Sequence, residues 1–258
     1  MLDIPGNEIH LWFVEHQQIT DEALLQSYRT LLNAEEEKRL QRFVFPKHKL
    51  QFLVSRALLR SVIGQYMGQP PASLIFARNA YGKPRIASFE QSLPLGFNLS
   101  HTNDLTVLAV TQAADIGVDL EYITRKVDIL KLADRYFSAR EAEELRAVGV
   151  AKFNERFFEL WTLKEAYIKA CGMGLAIPLR DFSFMFEEQG IAISFAEERE
   201  DYPDHWQFWQ FMYKQQFQVA LALKAEVSKG PKNVLSRAGI PLQDFDACEA
   251  LLTNKISN

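Results

Sequence analysis

The stretch Trp161-Thr162-Leu163-Lys164-Glu165-Ala166-Tyr167-Ile168-Lys169 lies in a helical pattern that runs from about Phe153 to Ala170. In a helix Trp161, Glu165 and Lys169 share one stripe, whereas Lys164 points about 100° away. Glu165 and Lys169 could simply form an ion pair along an exposed helix. The aromatic residues one turn before them and between them favour a groove instead.

A strand is predicted from Ile116 to Ile123, where apolar residues alternate with Gly117, Asp119 and Glu121. The two-residue period places both acids on one face, with Cα atoms roughly 7 Å apart. Gly117 shares that face and leaves room for something to approach the backbone. Two carboxylates below an open space suit Mg²⁺. The alternative is that the acids form the solvent-exposed face of an edge strand.

The rest of the chain alternates helical and strand patterns, which predicts an α+β fold. We expect two similar halves, residues 1–112 and 113–227, followed by an extension at 228–258 that is a tail, a short helix over Leu242–Leu252 or a partner site. The strands before and after a polar bend at Ser100–Asp104 should form a hairpin, completed to a small sheet by 116–123. The predicted helices cover about 21–32, 34–42, 49–67 and 153–170, and the predicted strands about 8–15, 95–99, 105–111, 182–186, 192–195, 206–213 and 218–224.

Composition restricts the class of protein. Hydrophobic residues make up 48% and charged residues 24%, as in an ordinary soluble globular protein. The net charge of -4 argues against a surface built for nucleic acid, and no apolar run is long enough for a membrane span. The N-terminus has no secretion signal pattern, so a cytoplasmic protein is expected. Cys171 and Cys248 have no metal-ligand or redox spacing.

Basic residues are concentrated between Lys38 and Arg60, which is compatible with a small polyanionic ligand or with solvated helix faces. His101 in the polar bend could donate a hydrogen bond to a phosphate oxygen, or it could be an ordinary loop residue. Lys83, between Gly82 and Pro84, could anchor a phosphate or could belong to a plain turn.

The order and spacing of five segments resemble the 4'-phosphopantetheinyl transferases of the Sfp type. The resemblance extends over roughly residues 9–225. The matching segments are Ser55-Arg56-Ala57-Leu58-Leu59-Arg60, Tyr81-Gly82-Lys83-Pro84, Phe97-Asn98-Leu99-Ser100-His101, Gly117-Val118-Asp119-Leu120-Glu121 and Trp161–Lys169 with Gly172-Met173-Gly174-Leu175.

This resemblance implies a pseudo-twofold pair of α+β subdomains with coenzyme A in the cleft between them. It implies that Asp119, Glu121 and Glu165 bind Mg²⁺ and that Glu165 also takes the proton of the incoming serine. Lys169 and His101 would face the pyrophosphate. The residues implied to contact the coenzyme are Arg56, Lys83, Ser100, His101 and Lys169.

The implied reaction transfers the phosphopantetheine arm of coenzyme A to a serine of an acyl or peptidyl carrier protein and releases adenosine 3',5'-bisphosphate. A monomer is expected, since the implied cleft lies within one chain. A Mg²⁺-dependent nucleotide hydrolase is one alternative, although the sequence has no Gly-x-x-x-x-Gly-Lys-Ser/Thr loop. A non-catalytic module that binds coenzyme A or a carrier protein is the other.

Overall fold

The computed structural model describes residues 1–87, 95–102, 104–112, 115–124, 128–188, 190–225, 232–248 and 251–254. The chain divides into two compact units, and both are discontinuous in sequence. The first unit comprises Met1–Arg78, Pro84–Ala113 and Asn233–Glu249. The second comprises Asn79–Lys83, Ala114–Lys232 and Ala250–Asn258. These units differ from the predicted halves 1–112 and 113–227. The turn Asn79–Lys83 belongs to the second unit, and Asn233–Glu249 of the extension belongs to the first.

The described residues form both helices and strands, as the predicted α+β class requires, and they include several elements that were not predicted. The helices are α1 (Glu22–Thr30), α2 (Ala34–Arg42), α3 (Pro46–Met67), α4 (Ile129–Tyr136), α5 (Ala139–Ala147) and α6 (Val150–Cys171). The strands are β1 (Glu8–Glu15), β2 (Phe76–Arg78), β3 (Pro84–Ile86), β4 (Leu95–Thr102), β5 (Leu105–Gln112), β6 (Ile116–Tyr122), β7 (Phe182–Glu187), β8 (Gly190–Phe195), β9 (Trp206–Tyr213), β10 (Phe217–Lys224), β11 (Asn233–Gly239), β12 (Phe245–Ala247) and β13 (Leu251–Asn254).

The first unit is built on a sheet with the strand order β12-β11-β1-β5-β4. Its core includes most of α3, which begins at Pro46 and ends before Gly68. Proline is favoured in the first turn of a helix, so α3 begins one turn earlier than predicted. Gly68 has a φ of 62° and ends the helix in the left-handed conformation.

The hairpin of β4 and β5 differs from the prediction at its polar end. β4 continues to Thr102, and His101 pairs with Thr106 on β5. His101 therefore lies in a strand and not at a bend. The expected third strand is also absent from this sheet, because β6 pairs with β10 in the second unit.

The second unit places α6 against a sheet with the order β13-β9-β10-β6. A buried ion pair holds α6 in this core: Lys164 Nζ lies 2.8 Å from Glu141 Oε2, and both side chains are inaccessible to solvent. Lys164 also donates to the carbonyls of Leu179 and Phe182. The prediction that Lys164 points away from the stripe of Glu165 is confirmed.

The C-terminal extension contributes strands, so the alternative of a short helix over Leu242–Leu252 is wrong for its described residues. In the first unit β11 pairs in parallel with β1, and the Tyr28 hydroxyl donates to the carbonyl of Pro241. In the second unit β13 pairs with β9. Gly230 and Pro231 lie outside the described residues.

Among the described residues, no helix combines the length and apolar character that a membrane span requires.

Candidate active site

Helix α6 crosses strand β6 in direct backbone contact at Gly117. A Cβ atom at Gly117 would lie 2.0 Å from the carbonyl oxygen of Ala166 and 2.4 Å from the amide nitrogen of Ala170. The space that the sequence predicts above Gly117 is therefore filled by α6. Since Asp119 and Glu121 share the face of Gly117, the crossing directs their side chains toward this helix.

Asp119 and Lys169 meet at this crossing. Lys169 Nζ donates to Asp119 Oδ1 at 2.5 Å, so Lys169 contacts the strand and not only its own helix. Asp119 is only 5% exposed, which rules out the solvent-exposed alternative for this acid. A charge-assisted hydrogen bond to a buried carboxylate is a strong contact.

Glu165 lies half-buried on α6, one turn before Lys169. Burial and the negative charge of Asp119 raise the pKa of Glu165, and the positive charge of Lys169 opposes this rise. The influence of Asp119 shows that the acid of the helix and an acid of the strand are electrostatic neighbours. Glu121 is half-buried and lies opposite Gln218 of β10.

Three carboxylates on β6 and α6 are hard oxygen donors of the kind that Mg²⁺ prefers. In the described part of the chain, however, no three His, Cys, Asp or Glu side chains approach closely enough to form a metal site. Asp119 Oδ1 receives the ammonium of Lys169. The side chains of Asp119, Glu121 and Glu165 thus fit Mg²⁺ by the type of donor they offer, whereas their positions do not form a closed set of ligands.

A pocket of about 330 Å³ lies within the first unit. It brings together Arg56 and His101, two of the residues that the resemblance implies. Ser100 does not line it, because Ser100 is buried on the opposite face of β4 from His101. The lining residues are Arg39, Phe43, His48, Gln51, Phe52, Ser55, Arg56, Leu99 and His101.

Arg56 is poorly neutralised in this pocket. Its Nη1 lies 3.7 Å from Glu36 Oε1, and among the described residues no group hydrogen bonds to its buried Nε. Burial lowers the pKa of Arg56. The guanidinium carbon atoms of Arg39 and Arg56 lie 5.3 Å and 5.7 Å from the ring centre of Phe52. Two neighbouring cations in a partly buried pocket favour an anionic ligand.

His101 is oriented by α3. Gln51 Nε2 lies 2.8 Å from His101 Nδ1, and the amide group donates this bond. In the neutral ring the proton is therefore on Nε2, which gives the histidine a donor on its other side.

Lys83 belongs to the second unit, in the turn Asn79–Lys83, and is half-buried. Its Nζ donates to the carbonyl oxygen of Ala170 at 2.8 Å and to that of Ile116 at 3.1 Å. Burial lowers the pKa of Lys83. The ammonium that the resemblance assigns to coenzyme binding thus bonds to the backbone of α6 and β6.

The family model described as 4'-phosphopantetheinyl transferase superfamily matches residues 115–222, and that described as 4'-phosphopantetheinyl transferase, N-terminal, matches residues 19–113. The 4'-phosphopantetheinyl transferase HetI of Nostoc sp. is 39% identical over 175 residues, which cover 68% of this chain and 73% of HetI. The chain belongs to the 4'-phosphopantetheinyl transferases.

Another relative of this transferase is the 4'-phosphopantetheinyl transferase Sfp of Bacillus subtilis, which is 29% identical over 165 residues, or 64% of this chain and 71% of Sfp. The crystal structure of Thermotoga maritima holo-(acyl-carrier-protein) synthase matches with a TM-score of 0.37 and 16% identity over 55% of this chain and 86% of that chain. Family membership confirms the resemblance to Sfp-type enzymes and the prediction of an enzyme.

Three residues of α3 that line the pocket of this transferase were not among the predicted site residues. His48, Gln51 and Ser55 follow one another at helical spacing on α3 and so share one face with Arg56 nearby. That spacing was visible in the sequence. Arg60, counted among the basic residues, is fully buried and binds Glu36 Oε2 at 2.7 Å, so it does not contribute to a basic surface.

Proposed function

We propose that this transferase moves the 4'-phosphopantetheine arm of coenzyme A to a serine of an apo acyl or peptidyl carrier protein, with Mg²⁺, and releases adenosine 3',5'-bisphosphate. The observation that carries the proposal is the cluster on β6 and α6. There the buried Asp119 binds Lys169, and its charge helps to raise the pKa of Glu165.

In the proposed reaction the serine oxygen attacks the phosphorus atom that carries the pantetheine arm. A new P–O bond forms, and the P–O bond to the adenosine 5'-phosphate breaks. Glu165 accepts the proton of the serine hydroxyl. Its raised pKa supports this role, because a general base is most effective when its pKa lies closer to the working pH.

Asp119, Glu121 and Glu165 would hold Mg²⁺, since their oxygen atoms are suitable ligands. When bound, the ion supplies positive charge against the pyrophosphate, as in other phosphoryl transfers. Lys169 adds a second positive charge. It can move from Asp119 toward a phosphate oxygen because its side chain is still 27% exposed.

Arg56 and His101 support binding of a coenzyme phosphate. The pocket of the first unit offers two guanidinium groups and an oriented histidine, and we assign the adenosine 3'-phosphate to the arginines and a pyrophosphate oxygen to His101. Ser100 stays a predicted coenzyme contact without support from its side-chain position, and the ammonium of Lys83 donates to backbone carbonyls instead.

The proposal is tested by incubating the enzyme with coenzyme A, Mg²⁺ and several unrelated apo carrier proteins, and by measuring the mass of each carrier. We expect a gain equal to one phosphopantetheine group, which a metal chelator and the substitution Asp119→Ala should abolish while the circular dichroism spectrum is retained. No gain on any carrier would contradict the proposal. Cleavage of coenzyme A without a modified carrier would favour the nucleotide hydrolase. Light scattering tests the predicted monomer.

A further inference from the structure

The turn Asn79–Lys83 is internally rigid. Asn79 Oδ1 accepts hydrogen bonds from the amide groups of Tyr81 and Lys83, both at 2.9 Å. Gly82 closes the turn with a φ of 92°, a conformation that favours glycine. Lys83 therefore extends from a fixed backbone position.

This turn is attached to the C-terminal end of α6. Asn79 Nδ2 donates to the carbonyl of Gly172 at 2.7 Å, and Lys83 Nζ donates to that of Ala170 at 2.8 Å. The last carbonyls of a helix have no partner within the helix, and a cation there is favoured by the helix dipole. The lysine stem packs on Gly172, where a Cβ atom would lie 2.8 Å from Lys83 Cδ.

The second acceptor of Lys83 belongs to β6. Nζ lies 3.1 Å from the carbonyl oxygen of Ile116. Ile116 is the neighbour of Gly117 in the chain. Ala170 belongs to the part of α6 that contacts Gly117, since its amide nitrogen and the carbonyl oxygen of Ala166 are the atoms nearest to a Cβ atom built at Gly117. One half-buried lysine thus bridges strand and helix, through its ammonium group, at the point where their backbones cross.

The reacting side chains lie within a few residues of this bridge. Lys169 precedes Ala170, Glu165 precedes Ala166, and Asp119 is two residues after Gly117. A shift of α6 along β6 would change the separation of Lys169 and Glu165 from Asp119. Displacements of about 1 Å in a catalytic arrangement can reduce a rate by roughly 100-fold.

We propose that Lys83 is a positioning residue of the transfer reaction, whose ammonium fixes α6 on β6 and thereby places Glu165 and Lys169 relative to Asp119. The inference rests on the proposed function for its catalytic consequence. It assigns Lys83 a role through the protein backbone, in place of the coenzyme contact implied by the resemblance.

The test compares Lys83→Met, which keeps most of the stem and removes the donors, with Asp128→Ala, which removes the N-cap of α4 away from the crossing. We expect Lys83→Met to lower kcat about tenfold or more and to leave KM for coenzyme A within about threefold. Hydrogen exchange of the amides at 116–121 and 164–171, measured without substrate, should be faster than in the wild type. Asp128→Ala should change neither quantity, although it lowers the melting temperature.

A rise in KM for coenzyme A with kcat unchanged would overturn the inference, because it would place the ammonium on the coenzyme. Unchanged hydrogen exchange at both segments would also overturn it. Lys83→Arg keeps a cationic donor and should exceed Lys83→Met in kcat by about threefold, and it replaces that variant if Lys83→Met does not fold. If the wild type transfers nothing, the proposed function fails, while the exchange measurement still decides whether Lys83 fixes the crossing.

Discussion

Glu165 occupies a position that disfavours its own charge. Burial and the charge of Asp119 both raise the pKa of its carboxyl group, and Lys169 compensates only in part. Such an arrangement costs stability in the resting protein and is common at catalytic sites, where a shifted pKa serves the reaction. By contrast, the charge of Lys164, which holds α6 in the core, is neutralised by Glu141.

Replacing Glu165 by Gln should therefore stabilise the metal-free protein near neutral pH. Because the folded state raises the pKa of Glu165 above 4.5, it holds this proton more tightly than the unfolded state does. By linkage, the wild type then loses stability as the pH rises from the unfolded pKa through the raised pKa. Urea unfolding in the presence of a chelator measures this effect. The midpoint of Glu165→Gln should exceed that of the wild type at about pH 7.5, and the difference should be smaller at about pH 4.

The matched control is Glu155→Gln, which changes an exposed acid on the same helix. Its urea midpoint should follow that of the wild type at both pH values. A Glu165→Gln protein that is less stable than the wild type near pH 7.5 would show that the carboxylate is favoured where it lies.

For single residues, the sequence predicted which side chains share one face of a strand or helix, but not which side chains of different elements contact each other. The two-residue period of β6 grouped Asp119 with Glu121, and the spacing on α6 grouped Glu165 with Lys169. The contact of Lys169 with Asp119 could not be predicted, since an ion pair along the helix satisfies the same spacing. The distance between α6 and β6 decides whether Lys169 pairs with Glu165 along the helix or with Asp119 on the strand.

Gly117 sets that distance between elements. With backbone atoms of α6 at 2.0 Å and 2.4 Å from the position of a Cβ atom, no side chain fits there unless the helix moves away. The strand and helix that carry the acids can be this close only because one residue of β6 has no side chain.

Gly117→Ala should separate α6 from β6 and reduce both stability and transfer. We expect a loss of about 3 kcal/mol in the free energy of unfolding, at the upper end of ordinary overpacking, because both obstructing atoms belong to the backbone. Urea denaturation measures the loss. Gly6→Ala is the control, since its Cβ atom would meet only a side-chain oxygen at 3.2 Å, and its unfolding curve should match the wild type. Equal stability of both variants would refute the close crossing.

Most helices and strands were predictable, but the sheet that contains β6 was not. Alternation in β6 predicts which residues face together, whereas the choice of β10 as its neighbour depends on residues about 100 positions further along the chain. α3 begins at Pro46, before the predicted start, because a proline needs no hydrogen-bond partner for its nitrogen in the first turn of a helix. For β4, pairing with β5 outweighed the polar composition of its last residues.

Across the whole molecule, the extension supplies strands to both units. In the first unit β11 covers one edge of β1, and Phe245 packs edge-on against Trp12 with ring centres 5.0 Å apart. An exposed edge of a central strand would present unpaired backbone groups to other chains. No local pattern predicted this use of the extension, since its partner β1 lies at the opposite end of the sequence.

A chain that ends at Lys232 should lose about 3 kcal/mol of unfolding free energy or more and aggregate at lower concentration, because β1 loses its parallel neighbour β11 and β9 loses β13. Tryptophan fluorescence in urea measures the first effect and size-exclusion chromatography the second. The full-length variant Phe245→Leu is the control, with an expected loss under about 1.5 kcal/mol. A truncated protein with an unchanged midpoint would show that β11 is dispensable.

The cluster of Asp119, Glu165 and Lys169 is tested most directly by the kcat/KM for carrier-protein modification in Glu165→Gln and Glu155→Gln. We predict that Glu165→Gln lowers kcat/KM by about 100-fold to 10,000-fold, as expected for loss of a general base, and that Glu155→Gln retains the wild-type value. A folded Glu165→Gln enzyme with kcat/KM within about threefold of the wild type would contradict the account.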